Sequence, residues 1–348
     1  MNSITITKPD DWHLHLRDEP ATRVVTPYSA KQFGRALIMP NLKPPVVNAE
    51  MALAYRERIL KALPKGMSFD PKMTIYLTDK TTPEMIREAA KSEYILAAKL
   101  YPANATTNSD DGVTDIWKLD RVLRTMEEVG MTLCVHGELL SDNNGEVDIF
   151  DREKHYITDV LEGLVTRYHN LKVVLEHITT REAVQFIENA RDGVAATITA
   201  HHLLVNRNAI FEEGINPHNY CLPILKREEH RKALVKAATS GNSKFFAGTD
   251  SAPHARGKKV NDCGCAGCYT AIAAIELYAQ AFDAVGKLNM LEAFASVHGA
   301  EFYGLPINTS KITLIKESWS IPKSIPYTPH NVLVPFWAGE TLDWKIVA

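Results

Sequence analysis

Short β-rich apolar runs alternate with longer stretches of helical period along most of the chain. The runs are Trp12–Leu16, Arg35–Met39, Met73–Thr78, Ile95–Tyr101, Thr132–His136, Lys172–His177, Val194–Thr199 and Lys244–Asp250. Each is near-continuously apolar, as a strand buried on both faces must be. Helices are predicted between them over Asn48–Ala62, from Thr82-Pro83-Glu84 onward, and over Asp115–Val129, Asp151–Tyr168, Thr180–Ala190 and Glu228–Ser240. Asn48 suits an N-cap, and Pro83 sits in the first turn, where its missing N–H costs nothing. After the eighth run come helical stretches at Thr270–Val285 and Leu291–Ser296, then a Pro-rich tail from Ile307. Eight strands alternating with helices predict an α/β fold, a (β/α)8 TIM-type barrel, with residues 1–348 as a single domain and the tail wrapping the barrel. An open doubly wound sheet is the structural rival. It would confine a site to one switch point, whereas here reactive residues end many strands.

Composition narrows the class without naming it. The 348 residues are 45% hydrophobic and 23% charged, which suits an ordinary globular protein. A formal net charge of −3 offers no global basic field for nucleic acid or an anionic membrane. No run of about 18 apolar residues suggests a membrane span. The start, Met1 to Pro9, lacks the apolar core of a signal peptide. Five Cys, an odd number, then read as reduced thiols, so a cytoplasmic location is expected.

The chemistry begins in Asp11-Trp-His-Leu-His-Leu-Arg17. In a strand, residues two apart share a face, so His13 and His15 project together, with Arg17 following if the strand persists. The other run ends carry Asn41, Lys99, His136, His177 and Asp250. In a (β/α)8 barrel these ends converge on one face, where the loops build the active site. Each residue alone has an ordinary account: Asp250 as an N-cap, Lys99 as a surface lysine, a His as a satisfied polar group. Four imidazoles and a carboxylate on one face suit Zn²⁺, and they exceed the three protein ligands of a single open catalytic zinc. They suit two ions roughly 3.5–4 Å apart. Lys99 lies among Ile95, Leu96, Ala97, Ala98 and Leu100. Burial there favours its neutral amine, which can add CO₂ to give a bridging carbamate. Two zincs, a carbamate, Asp250 and a hydroxide leave a net positive site that favours an anionic substrate. Arg17 can fork onto a carboxylate, with Asn41 and His254 adding hydrogen bonds.

These residues have a known setting. The blocks Asp11–Arg17, Met39-Pro-Asn-Leu42, Ala98-Lys-Leu-Tyr-Pro-Ala-Asn-Ala-Thr-Thr-Asn108, His136-Gly-Glu138, Glu176-His-Ile-Thr-Thr180, Asn219–Lys226 and Gly248-Thr-Asp-Ser-Ala-Pro-His254 run in order across nearly the whole chain. In this the sequence resembles the amidohydrolase superfamily, and within it the dihydroorotases of the bacterial type II class. The Lys-Leu-Tyr-Pro and Gly-Thr-Asp-Ser-Ala-Pro-His blocks are the specific ones; His-x-His is shared by the whole superfamily. The resemblance implies one zinc on His13, His15 and Asp250, a second on His136 and His177, and a carboxylated Lys99 between them. It implies that Arg17, Asn41 and His254 hold a substrate carboxylate, that His15 and His136 also face the substrate, and that backbone groups of Leu222 and Ala266 meet its ring. Thr106 and Thr107 fall where the family has a loop that closes over substrate. The segment Ile198-Thr-Ala-His-His-Leu203 departs from the family's frequent Ile-Thr-Pro-Gln-His-Leu, touching none of the implied ligands.

The implied activity is reversible cyclisation of N-carbamoyl-L-aspartate to (S)-dihydroorotate in pyrimidine synthesis, usually by a homodimer. A bridging hydroxide would be the nucleophile, and Asp250 the general base and then acid. Three alternatives stay open on the residues. A Schiff-base lyase would use the buried Lys99 but leaves four strand-end His unexplained. A hydantoinase would share the metals without needing the same carboxylate clamp. A non-catalytic scaffold would be expected to lack some of the ligands. Finally, Cys263-Gly-Cys265-Ala-Gly-Cys268 contains one Cys-x-x-Cys pair but no second pair, and reads as a loop of reduced thiols near the active face.

Overall fold

The computed structural model describes residues 2–262 and 264–347, so the expectation for Cys263 lies outside the described residues. Eight strands form one parallel sheet in chain order: β1 (Asp10–Leu14), β2 (Arg35–Ile38), β3 (Asp70–Tyr76), β4 (Ile95–Leu100), β5 (Thr132–Val135), β6 (Val173–Leu175), β7 (Val194–Ile198) and β8 (Phe245–Ala247). The sheet curls until β8 meets β1. Leu14 bridges Ser251, the Asp250 N–H donates to the His13 carbonyl at 2.8 Å, and the His15 N–H donates to the Ser251 carbonyl at 3.2 Å. This is the expected (β/α)8 barrel of the TIM type.

Alternation along the strands divides the core. Ala98, Leu100, Leu133, Val173, Leu175, Ala196 and Ile198 belong to the large cluster packed under the helices. Trp12, Leu37, Ala97, Cys134, Val174, Ala195 and Phe246 form a separate buried cluster to which seven of the eight strands contribute. Side chains two residues further on belong to the next layer up the barrel: Lys99 above Ala97, His136 above Cys134, Glu176 above Val174, Thr197 above Ala195 and Gly248 above Phe246. Gly248 shows how tight that layer is. A Cβ there would sit 2.7 Å from Thr197 Cβ and 3.0 Å from His13 Cβ.

The strands end before the apolar runs do, usually by a residue or two. The first strand stops at Leu14, so His15 and Arg17 lie beyond it, and a register irregularity falls between Asp11 and Leu14. The sixth stops at Leu175, before His177. Polar residues at these exits exchange ladder hydrogen bonds for contacts within the site.

Helix starts follow the expected caps. The side chains of Asn48, Thr82 and Thr180 accept from the N–H groups of Met51, Met85 and Ala183. Four predicted helices are altered: Leu291–Ser296 widens into a π turn over Ala293–Val297 and continues as the α-helix His298–Tyr303. Asp115–Val129 opens as a 3₁₀ turn, Ile116–Leu119, before the α-helix Asp120–Val129. Asp151–Tyr168 widens into a π turn over Ile157–Leu161. Thr270–Val285 begins only at Ala274, because the Thr270 and Ala271 N–H groups are held by Ser251 Oγ. A helix not anticipated, Ala21–Gln32, joins β1 to β2; its run contains Pro27 and several Thr and Ser, which mask the period. The tail does wrap the barrel, and it does so as a sheet: Lys311–Ser320 lies antiparallel between Ser3–Thr7 and Thr341–Val347.

Candidate active site and metal centre

The C-terminal mouth of the barrel brings together every side chain the sequence pointed to there. His13, His15, Arg17, Asn41, Thr106, Thr107, His136, His177, Leu222, Asp250 and Ala266 line a single small cavity, and Tyr101 joins them. Lys99 lies beneath, completely buried, and His254 stands beside Arg17 at the rim.

His13, His15 and Asp250 present ligand atoms within 4.8 Å of one another. Asp250 Oδ1 lies 3.0 Å from His15 Nε2 and 3.4 Å from His13 Nε2. The His177 ring packs 4.8 Å from that of His13 and 4.9 Å from that of His136, centre to centre. The backbone is bent to make this possible. Arg17, His177 and Asp250 adopt left-handed φ values of 57°, 42° and 45°. Strain of this kind persists where surrounding structure holds it, commonly at functional sites. For His177 it solves a parity problem: Glu176 takes the inward position of the strand, and the turn brings the next residue inward as well.

Carboxylates behind the histidines fix their rings. Glu176 Oε2 lies 2.8 Å from His13 Nδ1 and accepts from Thr197 Oγ1 at 2.7 Å. Glu138 Oε2 lies 2.7 Å from His136 Nε2. Asp11 accepts from the Thr249 N–H at 2.8 Å and hydroxyl at 2.6 Å, tying β1 to the residues after β8. The sequence reading gave Asp11, Glu138 and Glu176 no role. A carboxylate within two residues of a ligating His was the available signal, since such histidines usually donate their second nitrogen to one.

Electrostatics match a cation site. Burial pushes His15 down to about 4 and also lowers His136 and His177, so their rings are neutral. Burial pushes the Asp250 carboxyl up, but its hydrogen bond with His15 and its electrostatic interactions with His13 and His177 hold it well below its usual range. Burial lowers the Lys99 amine, against the opposing pull of Glu176, Cys134 and Asp250. Among the described residues, nothing hydrogen-bonds to Lys99 Nζ, His13 Nε2 or His177 Nδ1. Orphaned buried donors and acceptors are costly, so their convergence calls for a shared partner. Neutral imidazoles, an ionised carboxylate and a free amine fit a divalent metal pair and a carbamate between them.

The rim is arranged for an anion. Arg17 Nη2 donates to His254 Nε2 at 2.9 Å and Nε donates to the Pro253 carbonyl at 3.2 Å, while Nη1 is buried without a partner among the described residues. The loop carrying Thr106 and Thr107 is folded over the mouth. Asn41 Nδ2 donates to the Thr107 carbonyl at 3.0 Å, Asn108 Nδ2 to the Asn41 carbonyl at 2.9 Å, and the Thr107 hydroxyl to the Ala266 carbonyl at 3.3 Å.

Comparison with known proteins identifies the family. Residues 6–328 match the model of the amidohydrolase family. The chain is 60% identical to a dihydroorotase from Azoarcus sp. (strain BH72), over 99% of this chain and all of that one. Among solved structures, dihydroorotase from Saccharomyces cerevisiae in complex with 5-fluoroorotic acid superposes with a TM-score of 0.92 at 34% identity, covering 100% of this chain and 99% of that one. Dihydroorotase from Campylobacter jejuni superposes with a TM-score of 0.90 at 35% identity, covering 100% and 98%.

Proposed function

The chain belongs to the amidohydrolase family and works as a dihydroorotase, and from that premise we propose how its own residues carry the reaction. It interconverts N-carbamoyl-L-aspartate and (S)-dihydroorotate, a step of pyrimidine synthesis, and so acts on a small molecule. The observation that carries the residue assignment is the completely buried Lys99 amine, without a hydrogen-bond partner, beneath four histidines and Asp250.

His13, His15 and Asp250 would hold one zinc and His136 and His177 a second, and Lys99, as a carbamate, would add an anionic ligand. When bound, such a pair supplies Lewis acidity and lowers the pKa of water. The remaining chemistry belongs to the chain. Arg17 binds the substrate carboxylate through its free Nη1, with His254 fixing the guanidinium and Asn41 completing the clamp. His15 and His136 face the substrate, and backbone groups of Leu222 and Ala266 orient its ring. In the hydrolytic direction, water oxygen bonds to the ring amide carbon as the carbon–nitrogen bond breaks. Asp250, kept ionised by its imidazole neighbours, takes the water's proton and delivers it to the departing nitrogen. Thr106 and Thr107 close the mouth and exclude bulk water.

We further propose one domain over residues 1–348, a homodimer, and a cytoplasmic location. No helix among the described residues is long and apolar enough to cross a membrane. The test is ring opening of (S)-dihydroorotate before and after chelation, then after zinc return. Activity lost with the chelator and restored by zinc is the expected result. A zinc-loaded, bicarbonate-supplied protein that leaves dihydroorotate intact contradicts the assignment.

A further inference from the structure

A second set of metal-ligating atoms lies outside the catalytic cluster. His201, Cys221 and Cys268 are all buried, and a His201 ring nitrogen and the two sulfurs lie within 4.8 Å of one another. The three come from segments far apart in sequence: the short helix Ala200–Leu204 after β7, the residue before Leu222, and the second residue after Ala266. The Cys263–Cys268 spacing conceals this grouping, because Cys268 finds its partner in Cys221.

His201 is the anomaly. Its ring is fully buried, and among the described residues neither nitrogen has a hydrogen-bond partner. An unmet buried polar group costs about 1–3 kcal/mol, so a ring with two of them calls for a ligand. The adjacent His202 is fully engaged, through Nδ1 with Thr199 Oγ1 at 2.7 Å and Nε2 with the Pro223 carbonyl at 3.2 Å. The thiols, by contrast, make weak contacts: Cys221 Sγ with the Pro223 carbonyl at 3.4 Å and with His202 Nε2 at 3.8 Å, and Cys268 Sγ with the His218 carbonyl at 3.4 Å. A cation also stands close. Lys259 donates to the Tyr220 and Gly267 carbonyls at 2.8 and 2.7 Å, and its charge acts on both sulfurs.

We propose that His201, Cys221 and Cys268 form a separate metal site for a thiophilic d¹⁰ ion, Zn²⁺ first. Two thiols would release their protons and turn from their carbonyls, and two thiolates with one neutral imidazole would leave the ion without net charge, as a buried site requires. At zinc distances of about 2.3 Å to sulfur and 2.0–2.1 Å to nitrogen, the ligands need to close by only about 1 Å. The ion would fasten the two walls that carry Leu222 and Ala266, already joined by the Gly267 N–H to the Tyr220 carbonyl at 2.9 Å.

Cobalt titration of the reduced, metal-stripped full-length protein tests this. The catalytic cluster offers only nitrogen and oxygen, so thiolate-to-cobalt charge-transfer absorption reports the sulfur site. The expected result is one thiolate-bound cobalt per chain, with the band lost in Cys221→Ser and Cys268→Ser, lost or shifted in His201→Gln, and unchanged in Cys265→Ser. Zinc-loaded His201→Gln should hold one zinc fewer per chain and open dihydroorotate as the parent does, which also shows that it is folded. A parent protein without the band overturns the site. So does a band that follows Cys265 and ignores His201→Gln, which would mean binding by the cysteine loop and a His201 ring satisfied by water alone.

Discussion

Glu176 grips His13 from behind, with Oε2 2.8 Å from Nδ1 and both side chains buried. That contact fixes which nitrogen of His13 faces the cavity. Glu176→Gln should keep the barrel intact and weaken zinc binding about 10–100-fold, the usual effect of removing a carboxylate behind a ligating His. Chelator competition measures it. Activity should return at excess zinc, whereas wild-type affinity in the variant would leave Glu176 with a packing role only.

Asp250 is predicted to separate folding from turnover. Its φ of 45° is tolerated well by asparagine, so Asp250→Asn should melt close to the parent. Loss of proton transfer alone should lower turnover about 10²–10⁴-fold. Near-normal ring opening would remove it from the proton path.

Lys99 is expected to cost the metal-free protein stability. Its amine is buried and unpaired, a penalty of about 1–3 kcal/mol, and methionine fills similar space without a polar group. Lys99→Met stripped of metal should therefore melt at or above the stripped parent, while its zinc content falls. A variant that binds zinc as well as the parent would argue against the carbamate bridge.

The strand-end histidines were legible because period two and apolar runs are local signals, and Lys99 stood out as the lone charge among Ile95, Leu96, Ala97, Ala98 and Leu100. What stayed hidden depends on contacts far along the chain. Nothing near Ser3–Thr7 announces Lys311–Ser320 as its partner, and nothing near Cys221 announces Cys268 and His201. The inward turn at His177 was hidden too, since a run that looks continuous to Lys172–His177 stops at Leu175 once Glu176 claims the interior. Glu138 and Glu176 were within reach of the sequence, being two residues and one residue from His136 and His177, both proposed here as metal ligands.

Glu276 predicts a pH-dependent stability term remote from the site. Burial raises its carboxyl from 4.5 to about 7, against hydrogen bonds from its own N–H and that of Ile346 and the charge of Lys31. Oε2 has no partner among the described residues. The folded state therefore binds this proton more tightly than the unfolded chain. The stabilisation is complete below about pH 4.5 and is lost as pH rises through 7. Glu276→Gln should add up to about 3 kcal/mol at pH 8 and almost nothing near pH 4.5, relative to the parent. Denaturant melts at the two pH values compare them, and an equal effect at both would exclude titration as the cause.

Thr107 closes the mouth with two contacts of different kinds. Its carbonyl accepts from Asn41, which any residue could supply, and its hydroxyl donates to the Ala266 carbonyl, which requires Thr or Ser. Thr107→Val keeps the shape and the first contact while deleting the second. A neutral hydrogen bond is worth about 0.5–1.5 kcal/mol, so closure should weaken about 2–12-fold. On the proposed closing role of the loop, the loss should fall on turnover more than on zinc content. Thr106→Ala combined with Thr107→Ala should lose more, since the Thr106 side chain also lines the cavity. Steady-state ring opening with parallel metal analysis separates the two effects. Unchanged turnover in the double variant would reduce this loop from a lid to a surface connection.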